Sequence, residues 1–175
     1  EAARLFAKYN ITPVPMLARG AYGLVYGGPQ HVAKVSILMA PLPDLYCTKW
    51  PPLSEDGCRE ATAFAFVKEN RIAKFGGMIG IGPRILDTQR VTGYSQAHEL
   101  YYNVPSGLVD VGIVISDRLD MTVRDYLDTC TRQMALDLYR MIYRKLILPC
   151  VKNRLIPDDL HSNNVMVKVQ NGVAT

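Results

Sequence analysis

The segment 158–167 reads Asp-Asp-Leu-His-Ser-Asn-Asn-Val-Met-Val, a polar turn that runs directly into an apolar strand. Asp159 stands five residues before Asn164, which lies at the entrance to the strand. A carboxylate at such a turn can orient a hydroxyl group and accept its proton, and an Asn side-chain oxygen can bind Mg²⁺. The alternative is a polar connection between a helix and a strand with no chemistry of its own. Within this chain, the segment is the most specific indication of a functional site.

Helical patterns lie on the N-terminal side of this segment. Apolar residues such as Met134, Leu138 and Met141 recur at helical spacing within 131–153, and this period predicts a long helix. A shorter helix is predicted over 122–128, and the segment itself leads into a final strand. The second half of the chain is therefore expected to be mainly helical.

The first half of the chain shows strand patterns instead. Alternation over 16–37, interrupted by glycine turns, predicts three strands in a meander, and a proline-containing stretch without periodicity predicts a loop over 39–52. The remaining predicted elements are helices at 1–9 and 54–70, the latter ending before Gly76-Gly77, and strands at 83–90 and 112–116. This order predicts an α+β protein with two lobes and a boundary between 116 and 120.

Three features of the first half could carry chemistry. Gly20 and Gly23 lie between two predicted strands, and glycines in a hairpin allow backbone N–H groups to approach a phosphate closely. Lys34 interrupts an apolar strand, so its ammonium must pair or reach water. Glu60 shares a predicted apolar helix face with Val67, and a carboxylate there favours a cation such as Lys34. Taken singly, these are also the features of an ordinary turn, an exposed lysine and a solvated glutamate.

The composition excludes several classes of protein. The 175 residues are 49% apolar and 21% charged, values that exclude disorder, collagen and coiled coils. The net charge of +4 comes without a Lys/Arg run longer than two residues, so no nucleic acid partner is predicted. No apolar run reaches the roughly 18 residues of a membrane span, and no secretory signal opens the chain. No Cys-x-x-Cys pair occurs among the four cysteines, so reduced thiols and an intracellular, cytoplasmic location are expected.

In their order and on their predicted elements, the motifs resemble those of the protein kinases and their wider superfamily. The family's glycine-rich loop G-x-G-x-x-G-x-V is similar to 18–25, with Ala18 in place of the first glycine. The lysine of V-A-I-K corresponds to Lys34, and H-R-D-L-x-x-x-N corresponds to 157–164. The resemblance spans about 15–168, most of the chain.

This resemblance implies a fold and cofactors. The expected fold is a two-lobed kinase-like one, with an antiparallel sheet, one helix and an N-terminal extension at 1–116 and a partial, helical C-lobe at 117–175. The chain stops before the family's metal-binding Asp-Phe-Gly aspartate and activation loop, and it begins with Glu1 rather than Met, so a fragment is expected. The implied cofactors are ATP and Mg²⁺, clamped between the lobes.

The resemblance also implies roles for individual residues. Asp159 would be the catalytic base and Asn164 a ligand of Mg²⁺. Glu60 would hold Lys34 against the α- and β-phosphates of the nucleotide. Ile115 would be the gatekeeper, followed by the hinge that receives adenine. The implied nucleotide contacts are Gly20, Tyr22, Gly23, Val25, Ala33, Lys34, Ile115, Ser116, Asp117 and Asp120.

The leading expectation from the resemblance is a protein serine/threonine kinase with a protein substrate or partner. Departures from the family pattern favour two alternatives. Pro157 and Asp158 replace the His and Arg of H-R-D. This loss favours a kinase-like structural or interaction module without turnover, for example one packaged in a virus particle. His161 replaces the lysine of protein kinases and favours a small-molecule kinase similar to the aminoglycoside and choline kinases. A register with Asp158 and Asn163 as base and ligand has the same spacing but does not fit Leu160 and the strand.

Overall fold

The computed structural model describes residues 1–20, 23–39, 55–94, 109–156 and 160–175, without the side chains at 37, 39, 55–65, 69, 94 and 109. The chain divides into two compact units. The sheet unit comprises Glu1–Lys74 with Ile85–Arg118, and the helical unit comprises Phe75–Arg84 with Leu119–Thr175. The loop predicted at 39–52 lies outside the described residues from position 40 onward.

The sheet unit contains five antiparallel strands and confirms the predicted α+β class. The strands are β1 (Thr12–Gly20), β2 (Gly23–Gly27), β3 (His31–Met39), β4 (Ile85–Tyr94) and β5 (Val109–Asp117). Their order in the sheet is β1-β2-β3-β5-β4. The first three form the predicted meander, because each pairs with the next through a short turn. The two-lobed kinase-like arrangement remains a prediction.

One face of this sheet forms the core of the sheet unit. Alternate residues of the strands are fully buried there, among them Leu24, Val35 and Ile113. Helix α1 (Ala2–Lys8) covers this face, and its Phe6 ring lies 5.6 Å from the ring of Tyr26. Each such large side chain contributes about 1.5–3 kcal/mol when removed from water. The predicted N-terminal helix is confirmed and has a packing role.

Helix α2 (Glu55–Met78) packs on the other face of the sheet. The ring of Phe66 lies against Gly112 of β5, where a Cβ atom would overlap it. Asn70, one turn later, is also buried, and its Nδ2 donates to the Phe66 carbonyl at 2.8 Å. The buried side of the described part of α2 therefore differs from the predicted one, since Val67 is 48% exposed.

The end of α2 corrects the predicted boundary at Asn70. The helix continues through Gly76 and Gly77 to Met78, and Gly80 then adopts a left-handed conformation with φ of 77°. The N–H of Ile81 donates to the Gly76 carbonyl at 2.9 Å, and that of Gly80 donates to the Gly77 carbonyl at 3.3 Å. These bonds form a Schellman cap. The two glycines lie inside the helix because the chain folds back closely: a Cβ at Gly77 would lie 2.9 Å from the Pro83 carbonyl oxygen.

The described part of the helical unit contains short helices and two pairs of two-residue strands. Its helices are α3 (Val123–Leu127), α4 (Arg132–Ile142), a π turn (Tyr143–Ile147) and α5 (Leu148–Lys152). Its strands are β6 (Met121–Thr122), β7 (Met166–Val167), β8 (Val169–Gln170) and β9 (Val173–Ala174), with β6 paired to β7 and β8 to β9. The hydroxyls of Thr122 and Thr131 accept backbone N–H bonds and cap α3 and α4. The single strand predicted at 165–169 is thus two short strands with different partners.

The predicted long helix is confirmed over α4, the π turn and α5, but it is not regular. The N–H of Leu148 donates to the Tyr143 carbonyl, a bond one residue longer than in an α-helix. Pro149 follows directly and has no N–H to donate to the carbonyl four residues before it, which accounts for the local widening. Val123, Tyr126, Leu138 and Val167 form the core beneath this helix.

Within the ranges that the structure describes, no helix is both long enough and apolar enough to span a membrane.

Candidate functional site

The predicted glycine-rich loop is a tight hairpin between β1 and β2. Gly20 and Gly23 pair directly with each other at the ends of the two strands. Tyr22, the predicted tip aromatic, lies outside the described residues. Gly23 must be glycine here, because a Cβ atom would overlap the carbonyl oxygen of Val35 on the adjacent strand. The backbone of the hairpin is therefore packed closely against β3 at Gly23.

Lys34 occupies the middle of the sheet. It lies on β3 directly opposite Val25 of β2 and Val114 of β5, and opposite residues in antiparallel strands point to the same side. The same register pairs Ser36 with Gly112, so the Lys34 side chain is on the face that α2 covers. The side chain is exposed. No other described residue forms an ion pair or hydrogen bond with its ammonium.

Glu60 belongs to α2, and its side chain lies outside the described set. The predicted pair between Glu60 and Lys34 therefore remains a prediction. What the structure adds is that α2 covers the same sheet face as Lys34, through Phe66 on Gly112. The Nζ of Lys74 also reaches the Thr88 hydroxyl on this face, at 3.3 Å.

Ala33 and Ile115 cannot contact a ligand on the Lys34 face, which corrects two of the predicted nucleotide contacts. They lie opposite each other on β3 and β5, and both are completely buried against the α1 side. Because side chains alternate along a strand, the neighbours of Lys34 on its own face are the residues two positions away or directly across. These are Val25, Val32, Ser36 and Val114, and Ser116 lies on the same face opposite Val32. Counting by twos from Lys34 would have identified Val32 from the sequence.

The end of β5 is anchored to the turn between β2 and β3. The N–H of Arg118 donates to the Gln30 carbonyl at 2.8 Å, and its Nη1 donates to the Gly28 carbonyl at 2.9 Å. Ser116 is nearly buried opposite Val32, and Asp117 lies opposite His31. The predicted hinge therefore begins from a fixed position on the sheet.

Asp120 has a structural role in the helical unit that the sequence did not indicate. Its N–H donates to the Val167 carbonyl at 3.0 Å, and its Oδ2 accepts the N–H of Val169 at 2.7 Å. One carboxylate oxygen thus holds the chain that follows Asn164. The predicted contact of Asp120 with a ribose remains a prediction.

The described part of the polar segment forms a compact turn at 161–165. The N–H groups of Asn164 and Val165 both donate to the His161 carbonyl, at 2.9 and 3.2 Å. The N–H of Asn163 donates to His161 Nδ1 at 3.2 Å. Asn164 is exposed. Asp159, the predicted base, lies outside the described residues, as do Pro157 and Asp158.

Asn164 has the right chemistry for the predicted metal, because Mg²⁺ prefers hard oxygen ligands and takes most of the others from water and phosphate. One amide oxygen is not a complete site, however. Across the described positions, no three His, Cys, Asp or Glu side chains cluster as metal ligands would. Asn164 could therefore supply one oxygen ligand, and the predicted Mg²⁺ and ATP remain predictions.

An ion pair and a hydrogen bond join the end of α1 to β4. Lys8 Nζ and the Tyr9 hydroxyl donate to Asp87 Oδ2 at 3.0 and 3.2 Å. The hydrogen bond from Lys8 lowers the pKa of Asp87, and the same bond raises the pKa of Lys8. The Tyr9 ring meets His31 edge-on at 5.6 Å. This cluster fixes α1 to the sheet.

Comparison with known proteins does not assign the chain to a family. No protein-family model matches the sequence, and no curated protein matches it. Any proposal about activity must therefore depend on the residues and their placement.

Proposed function

We propose that the chain has a kinase-like fold and belongs to a phosphotransferase that moves the γ-phosphate of ATP to a hydroxyl group, most directly a protein serine or threonine. The observation that carries the proposal is the register that sets Val25 of β2 opposite Lys34 of β3. Lys34 therefore lies on the surface formed by β1, β2 and β3, and the Gly20–Gly23 hairpin lies at one end of that surface. The antiparallel sheet with one helix on its lysine face is compatible with a kinase N-lobe.

The spacing on this surface suits a triphosphate. Gly23 lies two residues from Val25 along β2, which corresponds to about 7 Å of strand. Backbone N–H groups of the hairpin would bind phosphate oxygens, and the Lys34 ammonium would neutralise their charge. Val25, Val32 and Val114 would supply apolar surface beside them. Lys34 has no competing partner among the described residues.

The proposed reaction uses positioning and charge rather than a covalent enzyme intermediate. The hydroxyl oxygen of the acceptor forms a bond to the γ-phosphorus, and the bond from that phosphorus to the β–γ bridging oxygen breaks. The hydroxyl proton passes to the Asp159 carboxylate, and ADP leaves. Mg²⁺, when bound, supplies positive charge at the phosphates. Asn164 would hold it together with phosphate oxygens.

Nucleotide binding is the first test. A thermal-shift titration of the chain with ATP and Mg²⁺ is expected to raise its stability by about 2.7 kcal/mol at a hundredfold excess over the dissociation constant. Lys34→Met should abolish most of this gain, while Lys152→Met, at the exposed end of α5, should keep it. No stabilisation of the unaltered chain by millimolar ATP would refute the proposal, as would an equal gain in both variants.

Transfer is tested separately, in the longest form of the protein that can be expressed. Asp159→Asn is expected to abolish phosphate transfer while leaving ATP binding nearly intact, because the carboxylate accepts a proton rather than holding the nucleotide. Radiolabelled transfer onto a casein-like protein, an aminoglycoside and choline distinguishes the protein kinase from a small-molecule kinase. Nucleotide binding without transfer to any acceptor would favour the non-catalytic module. Unchanged turnover in Asp159→Asn would refute the assigned base.

A further inference from the structure

The turn 161–165 is closed by three backbone N–H groups that all point to one residue. Two of them, from Asn164 and Val165, reach the His161 carbonyl at 2.9 and 3.2 Å. The third, from Asn163, reaches the imidazole Nδ1 of His161 at 3.2 Å. His161 thus accepts hydrogen bonds with both its backbone and its ring. The imidazole ring therefore contributes a hydrogen bond to the structure of the turn.

The ring contact has the pattern of an Asx turn. In that motif, the side-chain oxygen of Asn or Asp accepts the N–H of the residue two positions later. Here Nδ1 of His161 occupies the position of that oxygen and accepts the N–H of Asn163. A ring nitrogen accepts a hydrogen bond through its lone pair, so Nδ1 acts as the acceptor in this turn.

The turn is also fixed from outside, by the first residues of α3. The N–H of Arg124 donates to the Ser162 carbonyl at 3.1 Å, and the N–H of Val123 donates to the Val165 carbonyl at 2.8 Å. These are N–H groups that a helix leaves without internal partners at its start. The hydrogen bonds from the start of α3 fix the position of the turn, and the hydrogen bonds to His161 fix its conformation.

We infer that His161 is a positioning residue: its Nδ1 closes an Asx-like turn that places Asn164 for Mg²⁺-nucleotide binding. The consequence for the metal rests on the proposed function, whereas the turn itself does not. A lysine at this position has only donors and could not accept the Asn163 N–H. An asparagine could, through its side-chain oxygen. The identity of residue 161 therefore matters through its acceptor, not through its charge.

The first experiment examines the turn alone, by NMR on the labelled chain. Long-range ¹H–¹⁵N spectra should show Nδ1 of His161 unprotonated at neutral pH. Exchange of the Asn163 amide with solvent should accelerate about fivefold in His161→Ala and His161→Lys, the effect of losing one neutral hydrogen bond, and should stay slow in His161→Asn. A protonated Nδ1, or equal exchange in all four proteins, would overturn the inference.

The second experiment connects the turn to the nucleotide. In titrations of ATP at varied Mg²⁺, His161→Ala and His161→Lys should require about fivefold more Mg²⁺ for half-maximal binding, and His161→Asn should restore the original requirement. Asn163→Ala is the matched control, because it keeps the backbone N–H and should change nothing. An identical Mg²⁺ requirement in His161→Lys would refute the link to the metal. If no variant binds ATP, the proposed function fails while the NMR result still decides the turn.

Discussion

The two faces of the five-stranded sheet differ in how completely they are covered. On the α1 face, residues such as Ala33, Val35 and Ile115 are fully excluded from solvent. On the α2 face, their immediate neighbours include the exposed Lys34 and the half-buried Val114. Two successive residues of β3, Lys34 and Val35, thus lie on an open surface and in a closed core.

This difference separates stability from function in one element. The α1 face is a core of buried side chains, so its residues are fixed by packing. The α2 face keeps a charged group and apolar neighbours accessible, a combination that suits an anionic ligand with an apolar part. Substitutions on the first face should therefore affect folding, and substitutions around Lys34 on the second should mainly affect the proposed nucleotide binding.

The largest expected effect is on the closed face. Ile113→Ala should lower the free energy of unfolding by about 2–5 kcal/mol, because it leaves a cavity in a fully buried site. Urea denaturation measures the loss. Val114→Ala, the next residue on the open face, is the control and should cost clearly less. Equal losses in the two variants would contradict the contrast between the faces.

The second effect concerns the contact that joins α2 to the open face. Gly112→Ala should destabilise the fold by about 1–3 kcal/mol, because the new Cβ overlaps the ring of Phe66. Phe66→Leu removes part of the ring, so the double variant should lose less than the sum of the two single ones. Denaturation midpoints of the four proteins measure this coupling. Strict additivity would show that Phe66 does not pack on Gly112.

Much of the sheet could be predicted from the sequence, because alternation and glycine turns are local signals. The strand after the Gly20–Gly23 hairpin lies within the predicted range, whereas the strand before it begins at Thr12 rather than at position 16. The sheet face on which each side chain lies was predicted less well. The resemblance implies nucleotide contacts at Ala33 and Ile115, but their side chains lie on the face opposite to that of Lys34. A motif match gives the order of the residues, but the period of two along the strand decides which of them share a face.

Long-range contacts explain the remaining differences. Gly76 and Gly77 predict a helix end by local preference, but the helix continues through them, and the returning chain at Pro83 leaves no room for a Cβ at Gly77. The bond from Val169 to Asp120 joins residues 49 positions apart and has no sequence signature. The turn at His161 is local, but a histidine that replaces the usual Asn or Asp of an Asx turn conceals it.

The smallest effect concerns the ion pair that fixes α1 to the closed face. The Lys8 ammonium, by its hydrogen bond, lowers the pKa of Asp87 in the folded chain. The stabilisation is thus complete above the ordinary carboxyl pKa of about 3.9, and it is lost as the pH falls through the lowered value. Asp87→Asn should therefore be slightly less stable than the unaltered chain at pH 7, and the difference should disappear in acid.

The size of this effect is limited by solvent, since the Lys8 side chain is 61% exposed. Urea denaturation of both proteins between pH 2 and pH 7 measures it, with Asp128→Asn as a control at an exposed helix pair. A stability difference that persists unchanged in acid would mean that the Tyr9 hydroxyl, rather than the charge of Lys8, makes Asp87 important. In that case Tyr9→Phe should reproduce the loss, and α1 would be held on the core by a neutral hydrogen bond together with its apolar face.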